Sequence, residues 1–320
     1  SSMMSLPPTM HLIVRNISGE SVGIDVCPSQ KVSDLKRKIT EHWHIPQACQ
    51  KLVVGANVLE DVDTVGGDWQ PGDQAKSVTL VVTLEDITRD FHHEESSRRN
   101  LALSHLRELG PQGGEATLMA WSMLLDHPRS IMRRTAVFEL AGLAEKGDER
   151  IFAQVAARLG DSSAAVRLAA VRAIQAVVEK GSRRAVDALV TCLQDQYQYP
   201  GVRLAAVEAL AEVAEKGDTS AVTALVKAFK DDDEDVRRAA LGVTTEMIEN
   251  RNTTFDAAVC ACLEDVDAQV RRAAVCAIAA LAGTDERAIA VLRAHRDDPD
   301  PDVHQLIDRT IKEMMMRRKC

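Results

Sequence analysis

Residues 231–240 read Asp-Asp-Asp-Glu-Asp-Val-Arg-Arg-Ala-Ala, and residues 265–274 read Asp-Val-Asp-Ala-Gln-Val-Arg-Arg-Ala-Ala. In each, an aspartate (Asp231, Asp265) stands five residues before a Val-Arg pair that opens an apolar stretch. Asp161 with Val166-Arg167 has the same spacing. Asp195 with Val202-Arg203 is a looser copy, with Gln196–Tyr199 as extra loop. Weaker copies are Asp126 with Met132-Arg133 and Asp297 with Val303-His304. Met132 to Val166, Val202 to Val236 and Val236 to Val270 are each 34 residues. A fixed period of this length signals stacked units that bury their apolar faces on one another.

Two helices fit into each period. Val166, Ala169, Ala170, Ala173, Ile174, Val177 and Val178 fall at helical spacing on one face. That helix is expected to stop at Glu179-Lys180-Gly181, matched by Glu145-Lys146-Gly147 and Glu215-Lys216-Gly217. Glycine suits such a stop because the residue after a helix often turns left-handed. Arg251 occupies that column in the next copy, where Asn250 is the alternative cap. A second helix carries Ala221, Val222, Leu225, Ala228 and Phe229 on one face. Pro128, Pro200, Pro299 and Pro301 sit before first helices, where a missing N–H costs least. The first unit is degenerate: Arg98-Arg99 opens Leu101–Leu109, Gly110–Gly114 turns, and a helix follows through Leu125. The last is a lone helix, Val303–Met316, with Leu306, Ile307, Ile311, Met314 and Met315 on one side and Gln305, Asp308 and Lys312 on the other. A polar outer side is what a cap requires. About six repeats plus this closing helix are expected.

Tetratricopeptide repeats share the period but not the residues, since their Trp, Gly-Tyr and Pro signature is missing. Ankyrin's Thr-Pro-Leu-His is missing too, and armadillo repeats are longer and three-helical. Val236–Ala240 and Val270–Ala274 resemble the opening of HEAT repeats, in the short form shared with phycobilin lyases. The resemblance runs from about Ser97 to Met316 and implies a fold rather than a function.

From Met10 the pattern is different. His11–Arg15 reads as a strand, Asn16–Glu20 as a turn with Gly19, and Ser21–Cys27 alternates through Val22, Ile24 and Val26. Pro28-Ser29 leads into a helix over Val32–His42, with Val32, Leu35 and Ile39 on one face. Lys51–Val54 and Ser77–Leu84 read as further strands. This order resembles ubiquitin over Met10 to about Leu84. Further landmarks are Ile45-Pro46 after the helix, Gln50-Lys51-Leu52-Val53, and Leu59-Glu60-Asp61 before Thr64-Val65, with about two extra residues in the loop Gly66–Lys76. Ubiquitin ends in a conjugated di-glycine. Here the last strand runs on through Glu85-Asp86, so the resemblance implies a ubiquitin-like domain and not a modifier.

Composition bounds the function. The chain has 320 residues, enough for two domains. Aromatic residues make up only 3% beside 45% hydrophobic ones, which suits many small, similar helix interfaces. The formal charge is −9, with no basic excess in 10–86 or in the remainder, which argues against nucleic acid as the main partner. No apolar run is long enough to predict a membrane span, and Ser1-Ser2-Met3-Met4 does not open a signal peptide. The seven cysteines (Cys27, Cys49, Cys192, Cys260, Cys262, Cys276 and Cys320) are odd in number and irregular in spacing, as for reduced thiols in the cytosol or nucleus.

The resemblance to ubiquitin places its partner-binding apolar patch at Ile17, Val53, Thr79 and Val81. Two readings stay open: a free recruitment surface, or a dock for the protein's own repeats. Glu85–Ser97 holds no Gly or Pro and is therefore no long flexible tether. Arg133, Arg167, Arg203, Arg237 and Arg271 form a ladder that reads as an anion stripe or, better, as structural partners for Asp161, Asp195, Asp231 and Asp265. His92-His93-Glu94-Glu95 supplies one His-Glu pair where HEAT-type di-iron enzymes hold several, so it reads as a solvated linker. Cys260 and Cys262 lack a second ligand pair and read as small apolar residues. No phosphate loop, catalytic triad or nucleophile elbow is visible.

These readings give an α+β ubiquitin-like β-grasp domain followed by an all-α HEAT-repeat (armadillo-like) solenoid. The expected division is 1–9 as a disordered start, 10–86 as the ubiquitin-like domain, 87–97 as linker, and 98–320 as solenoid with a closing helix. The expected function is a non-enzymatic cytoplasmic or nuclear scaffold with no metal and no cofactor. Its second helices would line a concave wall. Ala157, Thr191, Lys227 and Ala261 form one column there, and Gly160, Gln194, Lys230 and Glu264 another, with Thr191 and Lys227 as candidate contacts. The ubiquitin-like domain would recruit a second protein, such as a ubiquitin receptor or the proteasome. The rival is a bilin-lyase-like protein that binds a tetrapyrrole and its acceptor.

Overall fold

Alternating apolar residues fix the first sheet. Leu12, Val14, Ile24, Val26, Leu52, Val78 and Leu80 are buried on one face, against Val32, Leu35 and Ile39 of a single amphipathic helix. The computed structural model describes residues 9–16, 19–66, 76–248, 253–282 and 285–317. Ile17, the expected cap Asn250 and its neighbour Arg251, Cys320, the Ser1–Met4 start and most of the Gly66–Lys76 loop lie outside those residues. Strands β1 (Met10–Asn16), β2 (Ser21–Val26), β3 (Gln50–Val54), β4 (Asn57–Leu59) and β5 (Lys76–Val82) form one sheet in the order β2-β1-β5-β3-β4. β1 and β5 pair in parallel and the other neighbours are antiparallel. Helix α1 (Val32–Trp43) crosses this sheet, so the layer is a β-grasp. It ends on His44 in the left-handed region, φ 54°. The last strand stops two residues short of the expected Leu84 because Leu84 caps α2 (Glu85–Asp90).

The chain divides into two compact units, 1–124 and 125–320. The first holds the β-grasp, α2, α3 (Ser96–Leu109) and α4 (Gly114–Met123). The expected linker is partly ordered structure, since Ile87 and Phe91 are buried. Both α2 and α3 touch the 3-10 turn Gln47–Cys49 that leads into β3, and Cys49 is fully buried.

The second unit runs α5 (Ser130–Leu143), α6 (Glu149–Ala156), α7 (Ala164–Val177), α8 (Arg183–Gln194), α9 (Pro200–Val213), α10 (Thr219–Ala228), α11 (Glu234–Met247), α12 (Thr253–Ala261), α13 (Ala268–Ala282), α14 (Glu286–Ala294) and α15 (Pro301–Arg317). The first helices α5, α7, α9, α11, α13 and α15 touch in chain order and form one layer. Each second helix packs against the next first helix. Val166, Ala170, Ala173, Ile174 and Val177 are buried as expected, joined by Val171. On α15, Val303, Ile307, Ile311 and Met314 are buried while Met315 is 39% exposed, so Met315 does not belong to the expected apolar face.

The first helices end before the expected Glu-Lys-Gly stops, at Leu143, Val177 and Val213. The glycines do turn left-handed, at φ 87°, 86° and 79° for Gly147, Gly181 and Gly217. Their N–H groups then cross to the next repeat. Gly147 donates to the Val177 carbonyl (2.7 Å), Gly181 to Val213 (2.7 Å) and Gly217 to Met247 (2.8 Å). Each bond satisfies a carbonyl that the end of a helix leaves free.

The arginine ladder joins the repeats at the other end of the first helices. Arg133, Arg203, Arg237 and Arg271 grip Asp161, Asp231, Asp265 and Asp298 through Nε and Nη2 together, at 2.6–2.8 Å. Nη1 of Arg133, Arg237 and Arg271 donates to two carbonyls in the arginine's own preceding loop, and that of Arg203 to the Gln198 carbonyl. The aspartates also accept the N–H two residues on, which shapes the turn into the next helix. The ladder is therefore structural, with two departures from expectation. Arg271 takes Asp298, an aspartate outside the four expected partners, and Arg167 takes Gln198, not Asp195. The loop 196–199 carries Gln198 into the place that Asp195 would hold, and Asp195 stays exposed.

Candidate functional site

On the sheet face away from α1, the register sets Val53 opposite Thr79 and Lys51 opposite Val81. β4 adds Val58 opposite Val53, and β1 adds Arg15 opposite Thr79. Alternation requires this: the buried Leu52, Val78 and Leu80 turn to α1, and their neighbours turn away. Thr79 is exposed and Val53 and Val81 are half-buried. Three of the four residues expected in the patch thus share one face, and Ile17 lies outside the described residues. Val58, 42% exposed, was not expected there, because β4 is too short to show an alternation of its own. Arg15 and Lys51 put cations among these apolar side chains.

Burial pushes the Cys49 thiol up to about 12, with the Glu108 carboxylate adding to the shift. Helix α3, which carries Glu108, touches the turn at 47–49 that leads into β3, within the first unit.

In the second unit, Thr191 on α8 and Lys227 on α10 are both exposed. The Thr191 hydroxyl is turned back onto the Asp187 carbonyl at 2.8 Å. Lys227 lines a cleft of about 390 Å³ with Gln194, Gln196 and Lys230, and Thr191 is not among the residues that line it. The two columns therefore contribute unequally: Gln194 and Lys230 come from the second, and Lys227 from the first.

His93 and Glu94 offer their carbonyls to Arg99 Nη1 (both 2.6 Å), as the preceding-loop carbonyls do for the ladder arginines. Among the described residues no three His, Cys, Asp or Glu side chains cluster in a way that could hold a metal ion. Burial raises the thiols of Cys192 and Cys262 to about 11 each. Among the described residues no helix is long and apolar enough to cross a membrane.

Residues 12–84 match the model of the ubiquitin family, and residues 117–211 and 153–244 match that of HEAT repeats. No curated protein matches the chain. Both matched architectures are protein-interaction modules.

Proposed function

We propose that this chain, a ubiquitin-like domain followed by HEAT repeats, is a non-enzymatic adaptor that holds two protein partners at once. Its functional division follows the sequence: 10–86 recruits one partner and 98–320 holds the other. The sheet surface around Val53, Thr79 and Val81 takes a ubiquitin-binding protein, with Ile17 as the fourth residue proposed for contact from the sequence and proteasomal and other ubiquitin receptors as the partner class. Thr191 and Lys227 on the second helices face the other partner, in the cytosol or nucleus. The single observation that supports this reading is the shared face of Val53, Thr79, Val81 and Val58, which is apolar yet not closed off. The chain also continues from β5 into α2, so the domain offers a surface and no conjugable end.

Photo-crosslinking in extract of the source cells tests it, with a benzophenone amino acid placed at Val53 in one full-length variant and at Lys227 in another. The expected result is two different sets of protein adducts, with ubiquitin-binding proteins at position 53. Adducts at neither position, or one identical set at both, would overturn the proposal.

A further inference from the structure

One junction of the second unit departs from the others in three ways at once. First, Arg167 meets the neutral Gln198 through Nε, where the other four ladder arginines meet a carboxylate through both Nε and Nη2. Nη1 of Arg167 is used on the Asp161 and Ser162 carbonyls, as in the other rungs. Its Nη2 has no acceptor among the described residues. The rung thus keeps one prong of a charged fork unfilled. Second, the loop that brings Gln198 there carries both tyrosines of the chain. Tyr197 is 98% exposed and Tyr199 62%. Third, Gln196 of this loop lines the same cleft as Lys227 and Lys230.

The loop is not slack. Gln198 is 6% exposed and tied on both sides: its carbonyl accepts from Arg203 Nη1, and its side-chain oxygen from Arg167 and from the Tyr199 N–H. Asp195 accepts the Tyr197 N–H at 3.0 Å. The two rings are therefore displayed on a fixed backbone, which lowers the ordering cost of binding. Exposed tyrosines of this kind serve as interface anchors. The charge beside them is net positive. Asp231 is paired with Arg203, which leaves Lys227, Lys230 and the Arg167 prong against the exposed Asp195 and Asp232, an excess of one positive charge.

We infer that the loop 195–199, with Arg167, Lys227 and Lys230, is the docking site for an acidic peptide segment of a partner protein. The partner's carboxylate takes the open prong of Arg167, further carboxylates meet the lysines, and apolar side chains pack on Tyr197 and Tyr199. A carboxylate suits the fork because planar, two-pronged pairing is what guanidinium groups favour. The inference rests on the proposal that the repeats hold a protein partner, and it names that partner's chemistry.

Selection of random 12-residue peptides on the full-length protein tests it, because Gln198→Asp offers Arg167 the carboxylate of the other rungs and gives up only the long contact of the Gln198 amide to Cys192 Sγ, 3.8 Å. The selected peptides that a Lys227→Glu change weakens should be rich in Asp and Glu. They should bind Gln198→Asp and Tyr197→Ala about tenfold less tightly, while the melting temperature of Gln198→Asp stays equal or rises. Peptides sensitive to Lys227→Glu but without acidic enrichment, or indifferent to Gln198→Asp, overturn the inference and leave the repeats a protein-binding surface. Absence of any peptide sensitive to Lys227→Glu overturns both.

Discussion

The guanidinium of Arg237 on one repeat grips Asp265 on the next, with Nε 2.7 Å from Oδ2 and Nη2 2.7 Å from Oδ1. The two side chains are only 9% and 12% exposed. A buried pair of this kind contributes little beyond an apolar pair of the same size, but its rupture leaves a charge without a partner. Arg237→Ala should therefore lower stability by about 3 kcal/mol. Asp265→Asn combined with Arg237→Met should recover part of that loss. Urea denaturation of the native protein and the two variants checks this, and equal losses in the single and double variants would contradict it.

The same ladder sets a pH dependence. Asp161 is held below the ordinary carboxylate value, first by the hydrogen bonds from Arg133, and Asp298 likewise by Arg271. A carboxylate with a lowered folded pKa adds stability that is fully present above its unfolded value, about 3.9, and is lost as pH falls through the folded value. Native protein should exceed Arg133→Met in stability by a constant margin from neutral pH down to about pH 5. Below about pH 4 the margin should shrink. A margin that stays level to the lowest pH at which the fold survives would rule out this linkage.

Two glycines of opposite character give a paired test. Gly181 has φ +86°, and an added Cβ would lie 2.9 Å from Glu215 Oε1. Gly142 sits inside α5 with nothing within 4 Å of an added Cβ. Gly181→Ala should cost roughly 1 kcal/mol or more, and Gly142→Ala should gain up to about 1 kcal/mol. Thermal melts that shift in the same direction for both would refute the assignment of their roles.

Thiol burial makes a chemical prediction. Cys276 is exposed, and the Ser29 hydrogen bond lowers the Cys27 thiol, whereas burial raises Cys49, Cys192 and Cys262. The thiolate is the reactive form. Under native conditions iodoacetamide should label Cys27 and Cys276 well before the other three, as read by peptide mass spectrometry. Early labelling of Cys49 would show that α2 and α3 do not cover the start of β3.

Much of this architecture is legible in the residues themselves. The 34-residue spacing of Val202, Val236 and Val270 registers the first helices directly. The alternation of Leu12, Val14, Ile24 and Val26 does the same for the sheet. Three features were not legible, each for a physical reason. β4 spans three residues, too few for a period, so Val58 could not be assigned to the patch. Ile87 and Phe91 lie in a short polar stretch, and only contact with α3 and the turn at 47–49 gives α2 an apolar side to bury. Gln198 replaces Asp195 on Arg167 because two added residues shift the loop, and spacing alone cannot say which side chain the arginine reaches.

The most direct test of the adaptor account is the binding of a ubiquitin-receptor helix to the full-length protein with and without Val53→Arg, measured by calorimetry beside a thermal melt. Val53 stands opposite Thr79 and Val58 on the open sheet face. The account predicts that native protein binds the helix, that Val53→Arg abolishes binding, and that stability changes by no more than about 0.5 kcal/mol. A loss of stability of about 1 kcal/mol or more, expected where a charge is forced into a closed interface, with no helix binding by the native protein, would contradict it and make the patch an internal dock.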